Sequence, residues 1–267
     1  MQTNNPDKED WIQMFNGKNL DGWNVKIAKH NINENYNNTF IVEDGVLKAS
    51  YNQYSNFDGE FGHIFYNKKL SYYKLKLEYR FVGNQVPGGP GWAFRNSGAM
   101  LHSQSPESME KDQDFPTSIE LQLLGGNGSD ERQTANLCTP GTNYEIKGEL
   151  ITRHCTNSTS KTFHGDQWVT VEAIVLGDSL ITHIVEGESV LVYSKPQLDN
   201  RDPNYEKMLK HFGGKELKEG YISLQGESHP VEFRKVEFLN LIGCTDPKAT
   251  NYKSYYIKSD NSRCIYK

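Results

Sequence analysis

Residues 72–82 read YYKLKLEYRFV, and their pattern decides the fold class. Apolar side chains occupy every second position, and charged side chains occupy the positions between them. Successive side chains of a β-strand point to opposite faces, so this alternation predicts a strand with one buried face. The apolar set consists of Tyr73, Leu75, Leu77, Tyr79 and Phe81. The stretch therefore predicts a sheet that packs on one side against a core.

Further strands are predicted on both sides of this stretch. FIVEDGVLKAS, residues 40–50, predicts two strands joined by a turn at Asp44-Gly45. Residues 168–194 and 221–241 predict more strands, and residues 205–212 one short helix. No long amphipathic helical repeat occurs, and many short strands at regular spacing are typical of an all-β sandwich or barrel.

The composition limits the classes of ligand and partner that we expect for this protein. The chain has 267 residues, a formal net charge of −5 and an aromatic content of 12%. Mild acidity and the lack of a long Lys/Arg run argue against nucleic acid or an anionic membrane as the main partner. Many aromatic and polar residues together fit a β protein that binds sugar rings. We therefore expect a carbohydrate ligand, and we make no prediction of oligomeric state.

The cysteines and the first residues bear on localisation. Four cysteines form two local pairs, Cys138 with Cys155 and Cys244 with Cys264, and no CxxC occurs. This arrangement fits disulfides better than zinc. No apolar run has the length of a membrane span, and the first residues lack the features of a signal peptide. We predict an exported protein, periplasmic or at the cell surface, whose signal has been removed. A polar leader, residues 1–10, would also suit the tether of a lipoprotein.

Polar side chains gather on two predicted strands between Arg95 and Gly126. The apolar positions of the SIELQLL strand assign Glu120 and Gln122 to the face away from the core. The same alternation in SGAMLHS places His102 beside Glu120. A carboxylate and an imidazole on adjacent strands could transfer a proton. We predict catalytic roles for Glu120, His102, Arg95 and Gln122. An ordinary solvated strand face would give the same pattern.

Substrate ligands are predicted in two other segments. Gln225, Glu227 and His229 lie in a polar group before the last predicted strand. Arg153 and His154 adjoin a cysteine and could be held at the rim of the site by a disulfide. Glu120 and Glu227 are also the natural choices for a glycosidase carboxylate pair, but their separation cannot be obtained from sequence.

Several other classes of site lack their motifs. There is no GxGxxG, GxxxxGK[ST], GxSxG or HExxH sequence, and no EF-hand spacing. We therefore predict no cofactor and no catalytic metal, although the Asp/Asn-rich loops could hold a structural calcium ion.

Several motifs in order resemble the 3-keto-disaccharide hydrolase family. They are MFNGKNLDGW, NSGAMLH, FPTSIELQLLGG, ANLCTPGTN, TRHC, HGDQWVTVE and ISLQGESHPVEFRKVEFL. The resemblance covers residues 11–241 and implies a concanavalin A-like jelly-roll β-sandwich that binds its ligand on the concave face of one sheet. The fold of this family is similar to that of laminarinase-type glucanases, whose catalytic acids alternate on one strand. Here that alternation is Ser118, Glu120 and Gln122, with a single carboxylate.

The resemblance also implies a reaction. In a sugar oxidised to a ketone at C3, a base removes the C2 hydrogen, the group at C1 leaves by elimination, and water then adds. We expect Glu120 or His102 to be the base, Arg95 or Gln122 to lie near the enolate oxygen, and His229 or Glu227 to serve the hydroxyls or the leaving group. A non-catalytic carbohydrate-binding module and an ordinary glycoside hydrolase remain alternatives.

The last residues differ in composition from the rest. Residues 242–267 contain GCTDPKATNY and resemble a short GCTDP-type repeat appended to exported bacterial proteins, although SDNSRC departs from the usual ending. We therefore predict a jelly-roll domain at residues 11–241 and a small cysteine-paired extension at residues 242–267.

Overall fold

The computed structural model describes residues 4–267 and contains 19 strands and one α-helix. The strands are β1 (Ile12–Gln13), β2 (Trp23–Ile27), β3 (Phe40–Glu43), β4 (Val46–Ala49), β5 (Gly62–Tyr66), β6 (Tyr72–Phe81), β7 (Asn96–Ser103), β8 (Ile119–Leu124), β9 (Asn136–Cys138), β10 (Thr142–Ile146), β11 (Glu149–Ile151), β12 (Cys155–Thr156), β13 (Val169–Leu176), β14 (Leu180–Val185), β15 (Glu188–Leu198), β16 (Tyr221–Gly226), β17 (Val231–Asn240), β18 (Ile242–Gly243) and β19 (Lys258–Ser259). The helix α1 spans Tyr205–Phe212, and short 3₁₀ turns lie at Tyr36–Asn38, Gly91–Ala93, Pro106–Ser108 and Asn261–Arg263.

Two antiparallel sheets pack face to face. The larger has ten strands, in the order β11-β10-β15-β14-β13-β6-β17-β4-β3, with β1 paired to β17. The smaller has seven strands, in the order β12-β9-β8-β7-β16-β5-β2. Many neighbours in the sheets are distant in the chain, as in Greek-key connections. The predicted jelly-roll β-sandwich is confirmed.

The core lies between the sheets and follows the predicted alternation. Every second residue of β6 is buried, at 2% exposure or less from Tyr73 to Phe81. On the facing sheet, Ile119, Leu121 and Leu123 of β8 are fully buried in the same cluster. Each large apolar side chain buried in this way contributes about 1.5–3 kcal/mol. The opposite face of β8 is consequently free to carry polar groups.

Local signals place the hairpin and the helix as predicted. Asp44 and Gly45 both have positive φ, at 52° and 75°, and join β3 to β4 in the turn that this dipeptide favours. The helix α1 occupies residues 205–212 and is followed by Gly213, whose φ of 69° ends the helix in the left-handed conformation that glycine adopts most readily.

Both predicted disulfides are present. Cys138–Cys155 joins β9 to β12, where the two residues are direct partners in the ladder. Cys244–Cys264 closes the C-terminal extension, in which β18 and β19 form a short parallel pair. Among the described residues, no helix is long and apolar enough to cross a membrane.

The chain before the domain contacts this extension. Residues 1–3 of the predicted flexible leader lie outside the described residues, but Pro6 accepts a hydrogen bond from the backbone N–H of Ser254 (3.0 Å). Lys253 Nζ contacts the Asp10 carboxylate at 2.7 Å. Residues 4–10 therefore do not form a free leader, because they lie against the extension.

Candidate active site

Polar side chains form a row across the outer face of the seven-stranded sheet. In the strand registers, Gln122 lies between Asn136 and Gly98, and Gln225 lies beside His63. Asn136 Nδ2 donates to Gln122 Oε1 at 3.0 Å. This bond orients the Gln122 amide and leaves its Nε2 hydrogens available to a ligand.

Glu120 lies at the centre of this face, as its position on β8 predicts. Its side chain is 7% exposed and extends over Gly98 on the neighbouring strand. A Cβ atom at residue 98 would lie 2.6 Å from Glu120 Oε1. The missing side chain of Gly98 therefore provides the space that the carboxyl group occupies.

A second carboxyl group, that of Glu227, lies close to Glu120. Glu227 directly follows β16, which pairs with β7, and it is 3% exposed. Its Oε2 has no hydrogen-bond partner among the described residues. Burial raises the pKa of Glu120 to about 8. Burial and the neighbouring Glu120 charge raise the pKa of Glu227 well above its usual range. Because two buried carboxylates cannot easily ionise together, the pair retains a proton near neutral pH.

Both carboxyl groups line one cavity of about 400 Å³. Aromatic side chains form its walls, with Trp92 55% exposed and stacked on Phe61 at 5.7 Å between ring centroids. Phe115 lies against both of these rings. The cavity falls in the range of small-molecule sites, about 300–1,000 Å³, and combines apolar walls with a few polar groups. Its size and lining suit a sugar ring.

Arg132 lines this cavity and was not predicted from the sequence. Its Nη1 donates to the carbonyl oxygen of Gly125, which holds the guanidinium in place. Arg132 lies in a loop without periodicity, so no sequence signal distinguished it from other loop arginines. The predicted Arg95 is not among the lining residues. It donates instead to Gly165 O (2.7 Å) and Asp166 Oδ1 (2.8 Å).

The prediction that His102 lies beside Glu120 is wrong. The pairing of β7 with β16 shifts register near His102, whose φ is 48°. This bulge turns the imidazole into the core, where Nε2 bonds to Gly177 O at 3.0 Å and the ring packs edge-on against Tyr73. Burial lowers the pKa of His102 to about 4, so the ring is a neutral core group.

Gln225 and His229 are fully buried near the carboxyl pair. Neither the Gln225 amide nor the His229 ring has a hydrogen-bond partner among the described residues, and the same is true of His63 beside Gln225. Native proteins leave few buried polar groups unpaired, so these groups are candidates for ligand recognition. His229 packs edge-on against Phe94, and burial lowers its pKa to about 4.

The two residues predicted at the rim of the site, Arg153 and His154, lie in different environments. His154 lines the cavity together with the Cys138–Cys155 disulfide, whereas Arg153 is exposed and donates to Thr156 Oγ1 at 2.6 Å. Within the described part of the chain, His154 and these two cysteines form the only cluster with metal-ligand spacing. Both sulfurs are bonded to each other and are unavailable as thiolate ligands.

Comparisons with known proteins agree with this fold. A family model described as a 3-keto-alpha-glucoside-1,2-lyase-like domain matches residues 10–239. Two crystal structures of proteins proposed to be glycosyl hydrolases, both from Parabacteroides distasonis ATCC 8503, are similar to this chain. One is 18% identical, with a TM-score of 0.50, over 86% of this chain and 94% of the other. The second is 17% identical, with a TM-score of 0.51, over 87% and 100%. At these identities the likeness shows the fold alone. Among curated proteins, none matches the chain.

Proposed function

Because the chain belongs to the 3-keto-alpha-glucoside-1,2-lyase-like family, we propose that it cleaves the glycosidic bond of 3-keto-glycosides by removing the C2 proton, eliminating the C1 substituent and adding water. The fold is that of carbohydrate-active enzymes. The 3-keto substrate and the elimination reaction are what we propose beyond the fold. One observation supports them most. Two buried carboxyl groups, Glu120 and Glu227, share a sugar-sized cavity and retain a proton between them.

The raised carboxyl pKa suits proton removal beside a ketone. A carboxylate whose pKa is about 8 is a stronger base than an ordinary one, and it is still partly ionised near neutral pH. Glu120 takes the C2 proton, and the electron pair of the C–H bond forms an enolate with the C3 carbonyl. Glu227, whose pKa is raised by burial and by the neighbouring Glu120 charge, is the member of the pair that we assign to keep its proton. Glu227 then donates that proton to the C1 oxygen as the C1–O bond breaks.

The enolate oxygen needs hydrogen-bond donors that are already in place. The Gln122 amide, oriented by Asn136, and the Arg132 guanidinium both line the cavity and can provide them. Water then adds to C1 of the unsaturated ketone and gives its proton to the Glu227 carboxylate, while Glu120, whose carboxyl proton has exchanged with solvent, protonates C2. The products are the 3-keto sugar and the free leaving group. Trp92 and Phe115 offer apolar faces for the sugar ring.

Ordinary glycoside hydrolysis is a second candidate, favoured by the same Glu120–Glu227 pair. Glycosidases place an acid and a second carboxylate on the two sides of the scissile bond. That second carboxylate must be ionised to stabilise a positively charged sugar or to activate water. Among the described residues, no cation lowers the pKa of either group, and burial raises both values, so an ionised Glu120 is a stronger base but a less stable anion. A strong base suits proton removal in the elimination better than it suits stabilising a positively charged sugar in ordinary hydrolysis.

A non-catalytic binding module is the third alternative. Such modules favour an open groove lined by aromatic side chains, whereas the cavity here encloses a pair of carboxyl groups with raised pKa values. We also propose that the protein is exported to the periplasm or the cell surface, with a lipoprotein tether as one form of attachment. The two disulfides support it, because such bonds persist in oxidising compartments.

Product analysis with a 3-keto-glucoside beside its unoxidised parent tests the proposal. We expect cleavage of the 3-keto compound, no cleavage of the parent, and a loss of more than about 100-fold in Glu120→Gln. Cleavage of the parent alone would support ordinary hydrolysis. Full turnover of the 3-keto-glucoside by Glu120→Gln would exclude Glu120 as the base.

A further inference from the structure

A long loop provides one wall of the cavity that holds the carboxyl pair. Residues 104–118 connect β7 to β8, and we call them the wall loop. Phe115 of this loop lines the cavity, and its ring centroid lies 5.0 Å from that of Phe61 and 6.4 Å from that of Trp92. Loops of this length are uncommon in compact domains and are often functional. The position of Phe115 at the cavity therefore depends on what holds the wall loop in place.

Lys26 holds the wall loop from β2, the edge strand of the seven-stranded sheet. The residue is only 3% exposed. Its Nζ donates to three backbone carbonyl oxygens, those of Ile27 (3.0 Å), His30 (3.2 Å) and Lys111 (2.8 Å). An ammonium group has three donors, so all of them are used. The side chain therefore joins β2, the turn that follows it and the wall loop.

The carbonyl oxygens of Ile27, His30 and Lys111 surround the Lys26 ammonium as ligands surround a bound cation, and we call them the carbonyl cage. Burial lowers the pKa of Lys26, and the charge of Asp112 acts in the opposite direction. Burying an ammonium group is costly unless its donors are satisfied, and backbone carbonyl oxygens can replace the hydration shell of a cation. The charge of Lys26 therefore holds separate segments of the chain together.

Hydrogen bonds within the wall loop brace the segment from Lys111 to Thr117. The Nε2 of Gln113 donates to Phe115 O at 2.8 Å and to Gln104 Oε1 at 2.9 Å. The same Gln104 oxygen accepts the backbone N–H of Thr117 at 2.7 Å. A shift of the chain at Lys111 therefore moves the braced segment and with it Phe115.

We propose that Lys26 is a positioning residue, a tethered cation that fixes the wall loop so that Phe115 forms a wall of the cavity. Lys26 does not line the cavity itself and acts through Lys111 and the braced segment after it. In Lys26→Ala the carbonyl cage loses its cation, and propylammonium, which replaces the atoms removed beyond Cβ, can bind there. The effect on the loop is independent of the proposed function, whereas the effect on catalysis rests on it.

Hydrogen exchange followed by mass spectrometry tests the effect on the loop without any measurement of activity. We expect backbone amides of residues 105–117 to exchange at least about tenfold faster in Lys26→Ala, since the loop loses a hydrogen bond to a charged group. Propylammonium chloride should restore most of the protection, whereas tetramethylammonium chloride, which has no N–H donor, should not.

Two further variants make the exchange result specific. Lys26→Met should lose the same protection without rescue, because its side chain fills the space that propylammonium needs. This variant also provides the measurement if Lys26→Ala does not fold. Lys68→Ala, at an exposed position before β6, is the matched control and should exchange like the unmodified protein.

Kinetics on methyl 3-keto-glucoside test whether Lys26 acts through Phe115. Lys26→Ala should raise KM about tenfold and leave kcat within about twofold, because the wall binds the sugar ring equally in the ground state and the transition state. Phe115→Ala should have a similar effect. The double variant should be no worse than either single variant, since both changes remove the same contact.

Three results would overturn this proposal. They are unchanged exchange of the wall loop in Lys26→Ala, equal rescue by the two cations, and KM effects of Lys26→Ala and Phe115→Ala that add in the double variant. If the unmodified protein does not cleave methyl 3-keto-glucoside, the proposed function fails, and the exchange measurements still decide whether Lys26 holds the wall loop.

Discussion

Gly98 and Glu120 are neighbours on adjacent strands, and the carboxyl group of Glu120 occupies the space where a side chain at residue 98 would lie. A Cβ atom on Gly98 would be 2.6 Å from Glu120 Oε1 and 2.8 Å from Glu120 Cγ. The position of the proposed base is therefore set by a residue that has no functional group of its own.

Gly98→Ala should displace the Glu120 carboxyl group while preserving the fold. The φ of Gly98 is not positive, so alanine is compatible with the backbone there. We expect kcat for a 3-keto-glucoside to fall roughly 100-fold, because a displacement of about 1 Å has that scale of effect. Gly214→Ala is the matched control, since a Cβ there meets no atom within 4 Å. An unchanged kcat in Gly98→Ala would argue against Glu120 as the base.

Glu227→Gln should affect poor leaving groups more than good ones. If Glu227 donates the proton to the departing oxygen, methanol depends on it and 4-nitrophenolate does so far less. We expect kcat for methyl 3-keto-glucoside to fall about 100-fold, and kcat for the 4-nitrophenyl compound to fall much less. Steady-state kinetics on both substrates measure this. An equal loss on the two substrates would be inconsistent with Glu227 as the general acid.

The carboxyl pair should make the folded state less stable as the pH rises. Both folded-state pKa values lie above the ordinary carboxyl value of 4.5, so the native state binds more protons than the unfolded state between pH 4.5 and about 8. The free energy of unfolding therefore decreases with pH across this window. Glu227→Gln removes one member of the pair, so the stability of this variant relative to the unmodified protein should increase with pH.

Denaturant unfolding at the two ends of this window would measure the effect. Glu149→Gln, at an exposed position on β11, is the control and should show no pH-dependent difference from the unmodified protein. A Glu227→Gln protein that becomes less stable with rising pH, relative to the unmodified one, would contradict the burial of two uncompensated carboxyl groups.

His102→Leu should weaken the fold without removing the chemistry. Its imidazole bonds to Gly177 O between the sheets, and leucine would leave that carbonyl without its partner. We expect the free energy of unfolding to fall by about 1–3 kcal/mol. Activity per folded molecule and the pH profile of kcat should stay unchanged. A large loss of kcat in protein shown by circular dichroism to be folded would return His102 to the list of catalytic candidates.

Strand alternation predicted the all-β class and the outward direction of Glu120, whereas the jelly-roll topology was implied by the family resemblance. Strand alternation depends on local geometry, so the buried positions of β6 and β8 followed directly from the residue pattern, and so did the outward direction of Glu120. The disulfides and α1 were also local features. Each of these predictions needed only residues close together in the chain, and the disulfide partners are 17 and 20 residues apart.

The other features of the site depend on strand order, bulges and loop positions, which the alternation of residues does not reveal. The bulge near His102 breaks the period of β7 without any glycine or proline to mark it. Glu227 reaches Glu120 only because β16 lies beside β7, an order that the sequence does not state. Arg132 reaches the cavity from an irregular loop, and the raised pKa of Glu120 depends on burial by other segments.

Cleavage of a 3-keto-glucoside in D₂O tests the central claim most directly. Elimination followed by hydration breaks the C2–H bond, and the base then returns a proton that has exchanged with solvent. The released 3-keto sugar should therefore carry deuterium at C2 when examined by mass spectrometry and NMR early in the reaction. The same sugar incubated in D₂O without protein controls for spontaneous exchange. Released sugar with only hydrogen at C2 would contradict proton abstraction by Glu120 and would indicate direct hydrolysis by the Glu120–Glu227 pair.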